Sequence, residues 1–203
     1  MKLTSILILS ALTFSTSLFA ANKGGVFIEP LLSYQNSDFK VDYPSPLGDS
    51  DGTITGPGIG GKIGIHIYES FLIGIDGRYS RVNFTDDDNN YDASANLYNV
   101  GPTAILQLPT DISLRLWATL ITHGQMDPEK ENNFDVEFTQ ASGRRVGAGI
   151  MLGTLSLNLE YQTISYDKTK LESVGQFNSS TSFDNVELTD EGYVMSISFP
   201  YTL

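Results

Sequence analysis

The chain contains no cysteine, so no disulfide can hold it. If exported, it needs another source of stability, such as a large hydrogen-bonded sheet. It is poor in basic residues: 12 Lys and Arg stand against 24 Asp and Glu, a formal net charge of −12. That balance excludes a nucleic-acid partner, which needs a basic surface. No apolar run reaches the ~20 residues of a membrane-spanning helix. The longest, Leu3 to Leu12, follows Lys2 and precedes Ser15, Thr16, Ser17 and the small Ala20. Short length, positive start and small-residue end are the marks of a secretory signal peptide. Residues 1–20 are therefore expected to be a signal peptide cut near Ala20, leaving one domain, 21–203. That domain loses one base and no acid, 11 against 24, for a net of −13. The lack of a spanning helix does not exclude a membrane, because a closed barrel also crosses one.

Beyond residue 20 no helical period is present, and apolar residues recur at every second position instead. In "GVFIEPLLSYQ", Val26, Ile28, Leu32 and Tyr34 oppose Glu29, Ser33 and Gln35. In "GIGGKIGIHI", Ile59, Ile63, Ile65 and Ile67 oppose Gly60, Lys62, Gly64 and His66. The pattern repeats in "FLIGIDGRYSRV", "NLYNVGPTAILQL", "ISLRLWATLIT", "RRVGAGIML" and "LSLNLEYQTIS". It ends in "YVMSISFPYTL", whose large apolar face runs to the last residue. These segments make eight strands. Between them, long polar stretches (36–56, about 83–95, 124–140 and 166–189) alternate with tight turns at "YES", "PTD" and "GT". In a meander, alternate connections share an end, so long loops gather at one end and tight turns at the other. Pro30, Pro102 and Pro200 fall inside strands, where each removes a ladder hydrogen bond; bulges or strand ends are expected there.

Period two alone does not say which face points inward. A soluble barrel such as a lipocalin would crowd its outer face with charge. Here the polar face is made of Gly, Ser, Asn, Thr and Gln with few charges, which suits the narrow interior of an eight-stranded barrel. The apolar face carries Tyr34, Tyr79, Tyr98, Tyr161 and Tyr201 toward strand ends, as in the aromatic girdles of membrane barrels. The expected fold is all-β: an eight-stranded antiparallel up-and-down transmembrane β-barrel.

With its signal peptide, alternating strands, loop asymmetry and aromatic-rich terminal strand, the chain resembles the small OmpA/OmpX-like outer-membrane β-barrel family. The resemblance covers essentially all of 21–203. It implies tight turns toward the periplasm and long acidic loops outside a Gram-negative-type outer membrane. It also implies that the terminal strand is read by the barrel-assembly machinery. That strand ends here in Leu203, where the family usually has Phe. The expected role is structural or interactive, in a monomer and without a cofactor. A narrow porin-like pore or small-molecule conduit is the alternative, a lipid-A-modifying enzyme the third reading, and a soluble lipocalin-like carrier the outside one.

The inward phase holds Glu29, Lys62, Asp76, Arg78, Arg115, Arg145 and Glu160, four cations and three anions. In so tight a space unpaired charges are costly, so these residues are expected to pair and plug the lumen. Arg81 and Arg144 on the outward phase, with Lys168 and Lys170 just beyond, are candidate contacts for lipopolysaccharide phosphates. "DDDNNYD" places Asp86, Asp88 and Asn90 at the spacing of the first ligands of an EF-hand. Tyr91 replaces the required Gly and Leu97 the final Glu, so a dedicated calcium site is not expected. Of the two histidines, His66 faces inward near the short turns. His123 near the long loops has Ser142 across the neighbouring strand, a base and nucleophile without an orienting motif.

Overall fold

The computed structural model describes residues 25–42, 49–86, 91–108, 113–130, 134–174, 177–183 and 186–203. The expected signal peptide 1–20, and Asp88 and Asn90 of the calcium motif, lie outside the described residues. Asp86 is described and buried. No described helix is long and apolar enough to cross a membrane.

The chain runs through β1 (Val26–Asp42), β2 (Asp49–Tyr68), β3 (Phe71–Asp86), β4 (Tyr91–Gln107), β5 (Leu114–Ile121) and β6 (His123–Pro128). It continues through β7 (Phe134–Leu152), β8 (Leu155–Val174), β9 (Phe177–Phe183), β10 (Glu187–Ser198) and β11 (Tyr201–Thr202). All pairings are antiparallel, and they make eight staves. Segments β5 and β6 share the fifth stave, between β4 and β7; β9, β10 and β11 make the eighth. The ring closes where β1 meets β10 and β11, from Asp42↔Glu187 down to Phe27↔Thr202. Closure leaves no free sheet edge.

The strands are longer than the sequence pattern suggested. The stretches expected as long polar loops are largely strand: β1 continues to Asp42, β2 begins at Asp49, and β6 and the start of β7 occupy most of 124–140. The reason is hydrogen bonding, since strands already paired in a ring can prolong their ladders without new chain reversal. With 20 residues, β2 reaches roughly 66 Å at ~3.3 Å per residue. Tilted at ~40° it still rises about 50 Å, roughly twice the ~25 Å apolar band of a membrane barrel. The barrel therefore projects well beyond the membrane on the side of the long connections.

The three prolines are accommodated differently. Pro200 sits in the break between β10 and β11. Pro102 lies beside the junction of β5 and β6, where the register against β4 moves by one residue between Thr103↔Thr119 and Val100↔His123. Pro30 stays inside continuous β1. Its carbonyl accepts from Phe199 N–H at 2.9 Å, and only its own missing N–H is lost from the seam.

Large apolar residues cover the outside of the lower barrel, among them Leu32, Ile59, Ile63, Ile75, Leu120, Leu159 and Met195. Tyr34, Tyr79, Tyr98, Tyr161 and Tyr193 cap this belt on the projecting side, and Tyr68 and Tyr201 lie toward the other. Above the upper tyrosines the polarity reverses. Phe39, Val41, Ile54, Phe84, Leu97, Met126, Phe138, Ile164 and Leu188 now point inward and form one apolar core. Phe39 stacks on Phe84 at 4.2 Å and 16°. A smaller cluster of Phe27, Leu72, Ile105 and Trp117 fills the bottom. Between these two cores lies a layer of buried charge.

Candidate functional site

Inward positions of the lower strands are small or charged because outward positions must be apolar to meet lipid. All seven expected lumen charges are buried. Arg115 grips Glu29 with two hydrogen bonds, 2.6 and 3.0 Å, and Ser198 Oγ donates to the same carboxylate at 2.7 Å. Lys62 Nζ lies 3.7 Å from Glu29 Oε1 and 4.1 Å from the centroid of the Trp117 ring, a cation–π contact. Arg78 bridges two carboxylates, Asp76 at 2.9 and 3.0 Å and Glu160 at 2.7 and 3.0 Å. Glu160 also accepts from Trp117 Nε1 at 3.2 Å and Ser196 Oγ at 3.1 Å. Arg145 donates to Gln162 and Asn99 at 3.0 Å, and its Nη1 lies 3.6 Å from Asp76.

One member escaped the sequence reading. Asp190 is fully buried and accepts from Gln35 at 2.9 Å and Gln162 at 2.8 Å. Through Gln162 it joins the Arg145 end of the layer. With it the layer holds four cations and four anions, so it is formally neutral. The signal was present: Leu188, Asp190, Gly192 and Val194 continue the inward phase of β10 back from the expected start of that strand. Bidentate geometry and neutralising partners are what buried ions require.

The outer rim is different. Arg81 is engaged by Glu129 and by Asn96, rather than reaching away from the protein. Lys170 is held by Glu172 at 2.5 Å and Glu137 at 3.1 Å, and these two carboxylates push its pKa up. Asp42 and Asp49 do the same for Lys40, at 2.6 and 2.9 Å. Lys168 is half-buried opposite Thr139, and Arg144 is exposed between Leu120 and Thr163. Asp127 sits where partial burial, then Glu137, Glu172 and Asp135, push its carboxyl above the usual range.

His66 lies low in the barrel on the inward phase of β2, whereas His123 opens β6 and is exposed, where the phase of β5 would have turned it inward. His66 packs edge-on against Phe27 at 6.1 Å at the bottom, with Nε2 3.2 Å from Thr202 Oγ1. His123 and Ser142 do line one cavity, at the level of Tyr98. However, His123 Nδ1 faces Thr122 Oγ1 at 3.1 Å, and among the described residues no hydrogen bond joins His123 to Ser142.

A ring of eight antiparallel staves with a lipid-suited belt outside and polar groups inside defines an integral membrane barrel. The family model described as "Outer membrane protein beta-barrel domain" matches residues 6–195, and the chain belongs to that family, an integral outer-membrane protein. No curated protein matches the sequence. Among solved structures, Neisserial surface protein A is similar at 14% identity and TM-score 0.46, over 86% of this chain and 96% of that one. Ail, the attachment invasion locus protein of Yersinia pestis, solved with the heparin analogue sucrose octasulfate, is similar at 12% identity and TM-score 0.46. That match spans 88% of this chain and 99% of that one. The translocator domain of autotransporter NalP from Neisseria meningitidis follows at 9% and TM-score 0.36, over 97% and 94%.

Proposed function

We propose that this protein is a non-conducting structural and surface-interaction barrel, in which the charged layer plugs the lumen and the acidic projection meets partners outside the cell. The observation that carries this reading is the interior: eight compensating charges between two apolar cores, with Arg78 spanning the lumen between Asp76 and Glu160. An ion crossing the barrel would have to displace those pairs and then pass the apolar upper core. The outward positions of the projection carry Asp38, Asp42, Asp51, Asp92, Glu129 and Glu187, so it favours basic partners and repels acidic ones. In this reading residues 1–20 direct export, 21–203 form the barrel, and the terminal strand is recognised during assembly. The mature protein works as a monomer without a catalytic site. Arg144 makes the lipopolysaccharide phosphate contact, since Arg81 and Lys170 are occupied by carboxylates.

Single-channel recording of the refolded protein in a planar bilayer tests the plug. Folding is checked first by the heat-dependent shift in gel mobility. The expected trace is silent. Regular small steps whose ion preference changes in Arg78→Gln would overturn the plug and establish a narrow pore.

A further inference from the structure

The ring of hydrogen bonds is breached between the fifth and sixth staves. Pairing of β5 with β7 runs to Ile121↔Gly143, and pairing of β6 with β7 resumes at Gln125↔Thr139. Residues 122–124 and 140–142 face each other across the interval. The backbone is bent on both sides of it. Thr122 and His123, adjacent in sequence, are both exposed, and Thr122 N–H turns to Val100 O at 3.1 Å. On β7, Gln140 adopts a left-handed φ of 60°, a conformation that costs a non-glycine residue energy. On β8, Asp167 and Lys168 both turn away from the interior at the same level. With Thr139 and Gln140 of β7 both unburied between Phe138 and Ala141, three neighbouring staves each send two successive side chains outward, and a cavity of about 530 Å³ opens between them. That is within the usual size of a small-ligand site, roughly 300–1,000 Å³.

Its lining is specific in kind. Tyr98, His123, Gln125, Gln140, Ser142 and Asp167 supply a ring, two amides, a hydroxyl, an imidazole and one carboxylate. Tyr98 is also one of the upper tyrosines that mark the membrane boundary, and its hydroxyl donates to Gln125 Oε1 at 3.2 Å. Arg144 is exposed two residues from Ser142 on the membrane side. The cavity therefore opens sideways at the level of lipid headgroups. Amides and hydroxyls both donate and accept, which matches sugar hydroxyls, and an aromatic ring suits the C–H face of a sugar. A lining this polar does not suit an acyl chain, and a single carboxylate with a single imidazole is a poor metal cage.

We infer that the breach is a binding site for a saccharide headgroup, with Gln125, Gln140 and Ser142 reading hydroxyls, Tyr98 stacking, and Arg144 meeting a phosphate substituent. The site rests on the lipopolysaccharide contact of Arg144 proposed above, and it is independent of the plugged lumen and of the partner of the projection. The test uses the full refolded barrel in phosphatidylethanolamine and phosphatidylglycerol nanodiscs, with backbone amide NMR. Two probes are compared: lipopolysaccharide incorporated in the disc, and its soluble phosphorylated glucosamine disaccharide without acyl chains. The expected result is saturable shifts at His123, Gln125, Gln140 and Ser142. The variant Gln140→Gly with Ser142→Ala should weaken them about tenfold, the loss of two ordinary hydrogen bonds. Because glycine relieves the left-handed φ, that variant keeps its gel mobility. Shifts with both probes mean that the free sugar suffices; shifts with lipopolysaccharide alone place the source in the membrane. Absence of saturable shifts at these residues with either probe, or equal affinity in the variant, overturns the site.

Discussion

The lower and upper halves of one barrel have opposite interiors. Below the upper tyrosines the outside is Ile, Leu and Val, and the inside is Glu29, Lys62, Arg115, Arg78 and Glu160. Above them the outside is Asp, Lys and Asn, and the inside is Phe39, Ile54, Phe84, Phe138 and Leu188. The backbone does not change; the same staves run through both. What changes is the solvent. Lipid claims the apolar face below and leaves the polar one for the lumen, whereas water claims the polar face above and drives the apolar one inside. The lower interior therefore specifies its state by directional ion pairs, and the upper one stabilises itself by packing.

The sharpest way to break that contrast is to orphan a buried ion. Arg115→Ala leaves Glu29 without its bidentate partner and should cost about 3–5 kcal/mol. Arg144→Ala, which touches no lumen carboxylate, should cost under about 0.5 kcal/mol. Urea unfolding of both variants in detergent micelles compares them directly, and equal midpoints would contradict the assigned interior. The packing half is probed by Phe84→Ala, which removes the ring stacked on Phe39 and should cost about 3 kcal/mol. Proteolysis of the projecting hairpins should accelerate while heat-dependent gel mobility persists. Joint loss of both properties would mean that the two interiors unfold as one unit.

A smaller effect is expected from overfilling the charged layer. A Cβ at Gly149 would lie 2.2 Å from Asn158 Oδ1 and 3.2 Å from Leu157 O. Gly149→Leu should destabilise by about 1–3 kcal/mol, read as slower refolding and a lower urea midpoint. The smallest effect concerns pH at the projection. Asp127 has its folded pKa raised by burial and by Glu137, Glu172 and Asp135. In the window between the ordinary carboxylate range and that raised value, the folded state binds more protons than the unfolded one. Stability contributed there falls as pH rises. Amide hydrogen exchange in β6 and β7, corrected for its intrinsic pH dependence, should therefore be slower just above the ordinary range than at neutrality. Asp127→Asn should flatten that difference.

The phase reversal was legible in the sequence, although the expected loops concealed it. In β1 the exposed large apolar residues Val26, Ile28, Leu32 and Tyr34 sit on even numbers, and beyond them Phe39 and Val41 sit on odd ones. In β3 they move from Ile73, Ile75 and Tyr79 to Val82 and Phe84. In β8 they move from Leu157 and Leu159 to Ile164 and Tyr166. Gly, Pro and Asp near these switches look like loop punctuation, so the sequence pattern ends the strands early and leaves Asp190 outside them.

The sequence by itself determined the eight-stave barrel, its membrane-facing side and the seven charges of its lower lumen. Strict alternation against lipid leaves one side for each residue, and a shift of one position would bury a charge in hydrocarbon. Tertiary structure alone decided which charge meets which, because Arg78 and Glu160 are 82 residues apart and meet across the lumen. It alone brought Asp190 into balance with the cations. It also placed the breach at Gln140, because the left-handed turn there and the one-residue slip of the fifth stave against β4 arise only when neighbouring staves pair.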